Sequence, residues 1–565
     1  MAASSLDRLL HQLEECRTCF GRGETARVFA LLSRLERQKL PDTATLIRFH
    51  EALLFLRAFP HGPEVLRRSE RLLRNFSKKV EQLEEAGADM DDFDPLEVSG
   101  IAGTVMQDTL SFDLVRWLVD RVPEAEIIWD DYSEERAMAA VWPRLMPLQE
   151  EDGYVEANIP WQRWLQTAAN GKNRNLQWMV RQFAQLPVPD EEKSLLYDSL
   201  RLPIRWRLED HRLSRTRNWQ PVRRAFFHHE PLIARGEVSL ARELAQTPPV
   251  LHRLSAKQGA AVMNMVREVM LVRYRELYGT TLGDPRSVVR ADVGRGVSIY
   301  LWNLPPARRL PLRTYVAGFS LKNGVPINYV EAIGLCEWME MGFNTFYTFR
   351  GGEVAWIYAQ ALRCLVELTG AKCISMYPYQ LGDGNEEAIE SGAFWFYRKL
   401  GFRPGRKDLL KLAEREERRI ARDPKCRTSP RTLRRLAAGH VFYELPGSQV
   451  GDWDSFSTRK IGMKVNQRMA RVFGGSSERI RSASSKWLAR VLGVPPSSLG
   501  PMEQASFETF GMVLSMVPSV ASWSRREKQV LLQIIRAKPA AQEMRYLHLT
   551  QQHSRLREAL LKLGS

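Results

Sequence analysis

Between residues 6 and 83 apolar side chains recur at helical spacing, as in Leu9, Leu13 and Cys16, then Val28, Leu31, Leu32 and Leu35. Pro41, Pro60 and Pro63 punctuate the run, so residues 1–83 are expected to form a bundle or pair of helical hairpins. No period defines a repeat family. Residues 84–98 carry Asp89, Asp91, Asp92 and Asp94 and close on Asp94-Pro95, which reads as a solvated linker. From 99 to 254 the pattern is mainly helical, and Trp161, Trp164 and Trp178 are assigned to its core.

The texture changes from residue 255. A helix over 255–278 presents Val262, Met265, Val266, Val269 and Met270 on one face, with Gly279 as its stop. Residues 296–302, 314–321 and 327–335 read as strands, the last two joined by Asn323-Gly324, a strong hairpin signal. Residues 343–349 read as another strand of this meander. A helix over 355–369 ends at Gly370, and a short strand follows at 372–376. A second helix covers 386–400, a basic insertion follows, and residues 440–445 close the sheet. Residues 446–565 return to helix. The expected class is therefore α+β and multi-domain, a mixed sheet with helices at 255–445 between mainly helical N- and C-terminal regions.

A chain of 565 residues exceeds one ordinary core and suggests three or four domains. Hydrophobic content of 44% with 26% charged residues excludes disorder as the dominant state. Six cysteines exclude a secreted disulfide scaffold and fit a reducing compartment, so a cytoplasmic location is expected. Residues 1–5 lack the features of a signal peptide. The longest apolar run, 510–523, contains Ser515, Pro518 and Ser519 and is too short to span a bilayer, so no transmembrane segment is predicted.

The 82 Lys and Arg exceed the 66 Asp and Glu by 16, an excess that favours polyanionic partners. Eight arginines between 201 and 224 are interleaved with Trp206 and Trp219, a composition that tracks phosphates and stacks on bases. Nucleic acid is the functional reading of that segment, and an interdomain strap is the competing one. Cys16-x-x-Cys19 has no second ligand pair at metal spacing, and adjacent His228 and His229 point in different directions, so no metal is expected.

Chemistry concentrates in two stretches. Arg350-Gly351-Gly352-Glu353-Val354-Ala355 turns a strand into a helix, whose first amides lack internal partners and favour an anion. One crossover later comes the aromatic helix Ala393-Phe394-Trp395-Phe396-Tyr397-Arg398-Lys399-Leu400-Gly401-Phe402.

With this order of elements, residues 255–445 resemble the GNAT superfamily of acyl-CoA-dependent acyltransferases. Ala393, Tyr397, Lys399, Leu400, Gly401 and Phe402 match its A-x-x-x-Y-x-K-L-G-F motif. Its Q/R-x-x-G-x-G/A turn is matched at Arg350 and Ala355, whereas Glu353 replaces the middle glycine and Glu390 replaces a frequent Asn of the second motif. The resemblance implies acyl-CoA, acetyl or longer, held at Phe349, Arg350, Gly351, Gly352, Val354 and Ala355. It also implies that Tyr397 protonates the leaving thiolate. Glu353 would oppose pyrophosphate unless it turns away. An amine acceptor needs a base, for which Glu331, Glu337 and Glu340 are candidates and Glu331 is preferred by strand alternation. Tyr377 and Tyr379 are expected on the acceptor side. Two rival readings remain open: aminoacyl or peptidyl transfer from charged transfer RNA, and a non-catalytic nucleic-acid-binding or scaffold protein that kept the fold.

Overall fold

The computed structural model describes residues 5–21, 23–146, 160–170, 174–209, 213–423 and 425–565. The start of the chain, residues 210–212 of the arginine-rich segment, and the helical reading at 147–159 and 171–173 lie outside these. The fold is mixed α+β, built around one large mixed sheet.

Five helices open the chain: α1 (Ser5–Cys16), α2 (Glu24–Glu36), α3 (Thr43–Ala58), α4 (Pro63–Arg74) and α5 (Phe76–Glu85). Their apolar stripes meet in a core that includes Leu10, Leu13, Val28, Leu32, Leu53 and Phe76. Helix α3 is apolar on nearly all sides, because Phe49 and Leu53 face this core while Phe55, Ala58 and the following Phe59 enter the core of the large sheet. The acidic stretch is docked rather than free: residues 84–85 finish α5, Phe93 is buried, and Asp92 accepts a hydrogen bond from Thr43.

The region read as mainly helical contains a three-stranded antiparallel sheet, β1 (Val105–Thr109), β2 (Glu126–Ile127) and β3 (Pro203–Arg207), in the order β1-β3-β2. Helices α6 (Phe112–Val119), α7 (Glu135–Leu145), α8 (Trp161–Ala169), α9 (Asn175–Gln185) and α10 (Asp190–Ser199) accompany it. Strand β3 lies inside the arginine-rich segment. Leu202, Ile204, Trp206 and Leu208 are buried and alternate with Arg205 and Arg207, a period of two that the arginine content conceals. Trp161 and Trp178 are core residues here.

The next elements are α11 (Leu240–Leu244), β4 (His252–Arg253), α12 (Ala256–Leu271), α13 (Tyr278–Thr281), β5 (Val289–Asp292), β6 (Val297–Asn303), β7 (Thr314–Lys322), β8 (Val325–Leu335) and β9 (Trp338–Thr345). Then come α14 (Val354–Thr369), β10 (Cys373–Met376), α15 (Pro378–Leu381), α16 (Glu386–Glu390), α17 (Ala393–Lys399), β11 (Arg403–Pro404), α18 (Lys407–Arg422), α19 (Pro430–Ala437) and β12 (Val441–Glu444). The sheet order is β11-β12-β10-β9-β8-β7-β6-β5-β4, and β9–β10 is its one parallel pair among the described residues.

Three expectations are revised here. Helix α12 ends at Leu271 rather than near 278, because Leu271 and Val272 join the core of the smaller sheet and Tyr274 adopts φ 49°. The strand expected at 343–349 is β9, which starts at Trp338 and ends at Thr345; a tight turn through Cys336, φ 52°, sets its start, and 347–349 are a 3-10 turn. The helix expected at 386–400 is two short helices, because Gly392 at φ 66° breaks it.

Six helices close the chain: α20 (Thr458–Phe473), α21 (Ser477–Leu492), α22 (Pro501–Leu514), α23 (Arg525–Ala537), α24 (Glu543–Gln551) and α25 (Ser554–Gly564). Their core takes in Leu335, Trp338, Cys373 and Phe442 of the large sheet. The cations of α20 cap helix ends: Lys464 donates to the Leu563 carbonyl at 2.8 Å and Arg468 to the Ser515 carbonyl. Among the described residues no helix is long and apolar enough to cross a membrane.

Candidate functional site

Strands β9 and β10 pair only from Trp338–Cys373 to Met341–Met376. Beyond that point β9 continues to Thr345 beside β8, while the other chain turns into α15. A cleft of about 550 Å³ opens where the strands part. It lies at the carboxyl ends of a parallel pair joined by the crossover helix α14, where open α/β sheets place their ligands. Its walls come from Phe343, Asn344 and Thr345 of β9, the turn at 350–355, Gln380 of α15, helices α16 and α17, and a strap at 232–235.

Arg350, Gly351, Gly352, Val354 and Ala355 all line this cleft. The first backbone bond of α14 runs from the Ile357 amide to the Glu353 carbonyl at 2.9 Å, so the amides of Val354, Ala355 and Trp356 open the helix without intrahelical acceptors. Phe349 is buried and does not line the cleft; its carbonyl accepts from the Gly352 amide at 2.9 Å and tightens the turn. Gly352 itself is pressed against α3, since a Cβ there would stand 2.7 Å from the Phe59 ring. Arg350 pairs with Glu387 of α16 and lies over the Tyr347 ring.

Glu353 turns away from the cleft. Its carboxylate is fully buried, accepts from the Ile233 amide at 3.2 Å, and pairs with Arg295 and with Lys322 at 3.4 Å. Burial pushes the Lys322 ammonium down to about 8 despite Glu353. The carboxylate is therefore spent on an inner ion cluster instead of opposing an anion in the cleft, and it anchors the strap that forms one cleft wall.

Tyr397 lines the cleft from α17. Its ring packs edge-on against Tyr358 and Phe402 at 5.7 Å, and burial raises its pKa well above the usual tyrosine value. The phenol thus stays protonated at neutral pH, and its hydroxyl has no hydrogen-bond partner among the described residues.

Glu331 is not at the cleft. It sits on β8 opposite Ala317 and Gly342, accepts a hydrogen bond from Tyr315, and is raised by burial. Glu337 is engaged by Trp453 at 2.8 Å and Arg557 at 2.7 Å, which tie the C-terminal helices to the sheet. Glu340 is different. Met341 and Phe343 face α14, where the Tyr358 hydroxyl meets the sulfurs of Met341 and Met376, so Glu340 emerges on the opposite face, one residue before the strands part. There Glu340 Oε2 lies 3.0 Å from His440 Nε2, with Arg313 3.5 Å from its other oxygen. The Tyr377 ring stands edge-on to His440 at 5.4 Å and its hydroxyl accepts from Arg459 at 2.8 Å. Tyr379 is half-exposed and outside both groups.

Part of the arginine-rich segment is drawn into structure, while Arg201, Arg223 and Arg224 stay exposed. Arg205 pairs with Glu126, Arg207 with Glu84, and buried Arg215 with Glu51 at 2.7 Å. Burial raises Glu51, but Arg215, His50 and Thr348 outweigh it and hold the carboxyl at about 2. Trp206 is buried and presents no face for a base, and Trp219 is half-buried with Arg57 over its ring. The residues that sequence reasoning missed are His440, Gln380, Glu387 and the strap at 232–235. Only His440 carried a signal, as the polar residue opening the closing strand; the strap is placed by Glu353 across more than a hundred residues. Comparison with protein-family models, curated proteins and solved structures gives no match.

Proposed function

We propose that residues 255–445 form a GNAT-like acyltransferase unit within a multi-domain chain, moving an acyl group from acyl-CoA to an amine or similar nucleophile. The observation that carries this reading is one cleft shared by the open amides of α14, the glycine turn and the Tyr397 phenol, at the point where parallel strands part. The residues fit the donor. The amides at Val354 and Ala355 and the Gly351-Gly352 turn suit phosphate, with Glu353 withdrawn; the Arg350–Glu387 pair must open to admit it. Phe343, Phe396, Leu232 and Ile233 supply apolar walls for a narrower chain.

Acyl-CoA, when bound, supplies an activated thioester. Tyr397 gives its proton to the departing sulfur. On the other face of the sheet, Glu340 accepts the Nε2 proton of His440, which leaves Nδ1 as the basic nitrogen that takes a proton from the acceptor amine. This assignment replaces Glu331, whose carboxylate is occupied by Tyr315. Isothermal titration with acetyl-CoA and longer acyl-CoAs tests the reading: micromolar binding is expected, and the absence of heat at concentrations that would detect it sinks the proposal.

A further inference from the structure

The insertion between β11 and β12 is one of the strongly basic stretches of this chain. Residues 406–435 hold twelve Lys and Arg against five Asp and Glu. Within α18, Lys407, Lys411, Arg415, Arg418 and Arg422 are all exposed, and among the described residues none has a hydrogen-bond or ion-pair partner. Their spacing of four, four, three and four residues puts them on one stripe of the helix, opposite the buried Leu409, Leu412, Ala413 and Glu416. The stripe is roughly 22 Å long with steps of about 4.5 to 6 Å, from the 1.5 Å rise per residue.

An ordinary solvated helix face interleaves opposite charges. Here the acids of α18 point elsewhere: Asp408 to Arg406, Glu416 to Arg419 and Glu417 to Arg398 of α17, with Glu414 alone beside the stripe. Like charges three or four residues apart destabilise a helix, so the arrangement needs a counter-charge from outside. No large apolar residue of the insertion is exposed among the described residues, which removes the apolar face that a membrane-lying helix inserts.

We infer that the α18 stripe binds the phosphate backbone of a nucleic-acid strand, without reading its sequence. The Arg398–Glu417 pair and the Trp395–Thr428 hydrogen bond at 3.1 Å fasten the insertion to the helix that carries Tyr397. The inference stands independently of the reaction at the cleft.

The test is fluorescence anisotropy with a labelled 20-nucleotide oligouridylate in 50 to 200 mM KCl. The triple variant K411Q/R415Q/R418Q is compared with R223Q/R224Q, which removes exposed charge elsewhere. The triple variant is expected to bind at least tenfold more weakly at 50 mM KCl, with a slope of log K against log salt smaller by about 2, from ~0.7 per phosphate contact. The double variant is expected to stay within twofold of the parent. Absence of binding by the parent at 50 mM KCl, an unchanged triple variant, or equal loss in both variants overturns the inference. So does stripe-dependent binding to phosphatidylserine vesicles without oligouridylate binding.

Discussion

Tyr397 and His440 differ in what their neighbours leave free. The Tyr397 hydroxyl is kept protonated by burial and has no partner among the described residues, so Tyr397→Phe is expected to lower kcat about 100-fold while leaving acyl-CoA affinity within twofold by titration. Unchanged turnover would remove the general-acid assignment. His228 makes a separate case. It is buried against Phe20, Phe59 and Phe226, neither ring nitrogen has a partner among the described residues, and burial with Lys322 and Arg295 nearby pushes it down to about 2. The unfolded imidazole titrates near 6.5, so between pH 6.5 and 2 the unfolded state binds the extra proton and stability falls as pH falls, by about 1.4 kcal/mol per unit well inside that window. His228→Leu should therefore lose less in Tm between pH 7 and 5 than the parent; an equal loss in differential scanning fluorimetry contradicts this. The sequence showed Tyr397 because its motif is local. It left Glu353 ambiguous, because the partners that turn it away, Arg295 and Lys322, lie 58 and 31 residues earlier.

Among the elements, the turn before α14 depends on a helix from the start of the chain. Gly352→Ala would drive a Cβ into Phe59, whose ring is fully buried and stacked on Phe55, and is expected to cost about 1–3 kcal/mol in urea unfolding. In a Phe59→Leu background the same substitution should cost measurably less, and strict additivity would show that the two do not touch. Elements with local chemical signals were legible, such as the β7–β8 hairpin, where Asn323 and Gly324 both adopt positive φ. The elements missed had signals of another kind. Strand β3 hid its alternation behind arginines, β9 began at a Cys turn instead of a glycine turn, and Gly392 split a run whose aromatic pattern was continuous.

Across the whole molecule the four apolar cores share walls. Phe55 and Phe59 from the first helical region belong to the core of the large sheet, Leu271 and Val272 at the end of α12 to that of the small one, and Trp338 and Phe442 to that of the C-terminal helices. Helix boundaries in the sequence suggested separable regions, but periodicity does not reveal that α3 is apolar on both sides because it serves two cores. Urea unfolding is therefore expected to give coincident transitions by tryptophan fluorescence and far-UV circular dichroism. Resolved transitions would show that the cores open independently.

The contact between α3 and the candidate turn also sets an order of events during synthesis. Thr348 reaches Glu51 across 297 residues, and Gly352 meets Phe59 over a similar span. At roughly 5–20 residues per second, a ribosome needs on the order of 15 to 60 s between making Phe59 and making its partner. Until the strands of the large sheet are made, with Lys322 of β7 over the Phe59 ring, Phe55 and Phe59 have no cover from the sheet, so through most of that interval the nascent chain offers a chaperone a defined apolar segment.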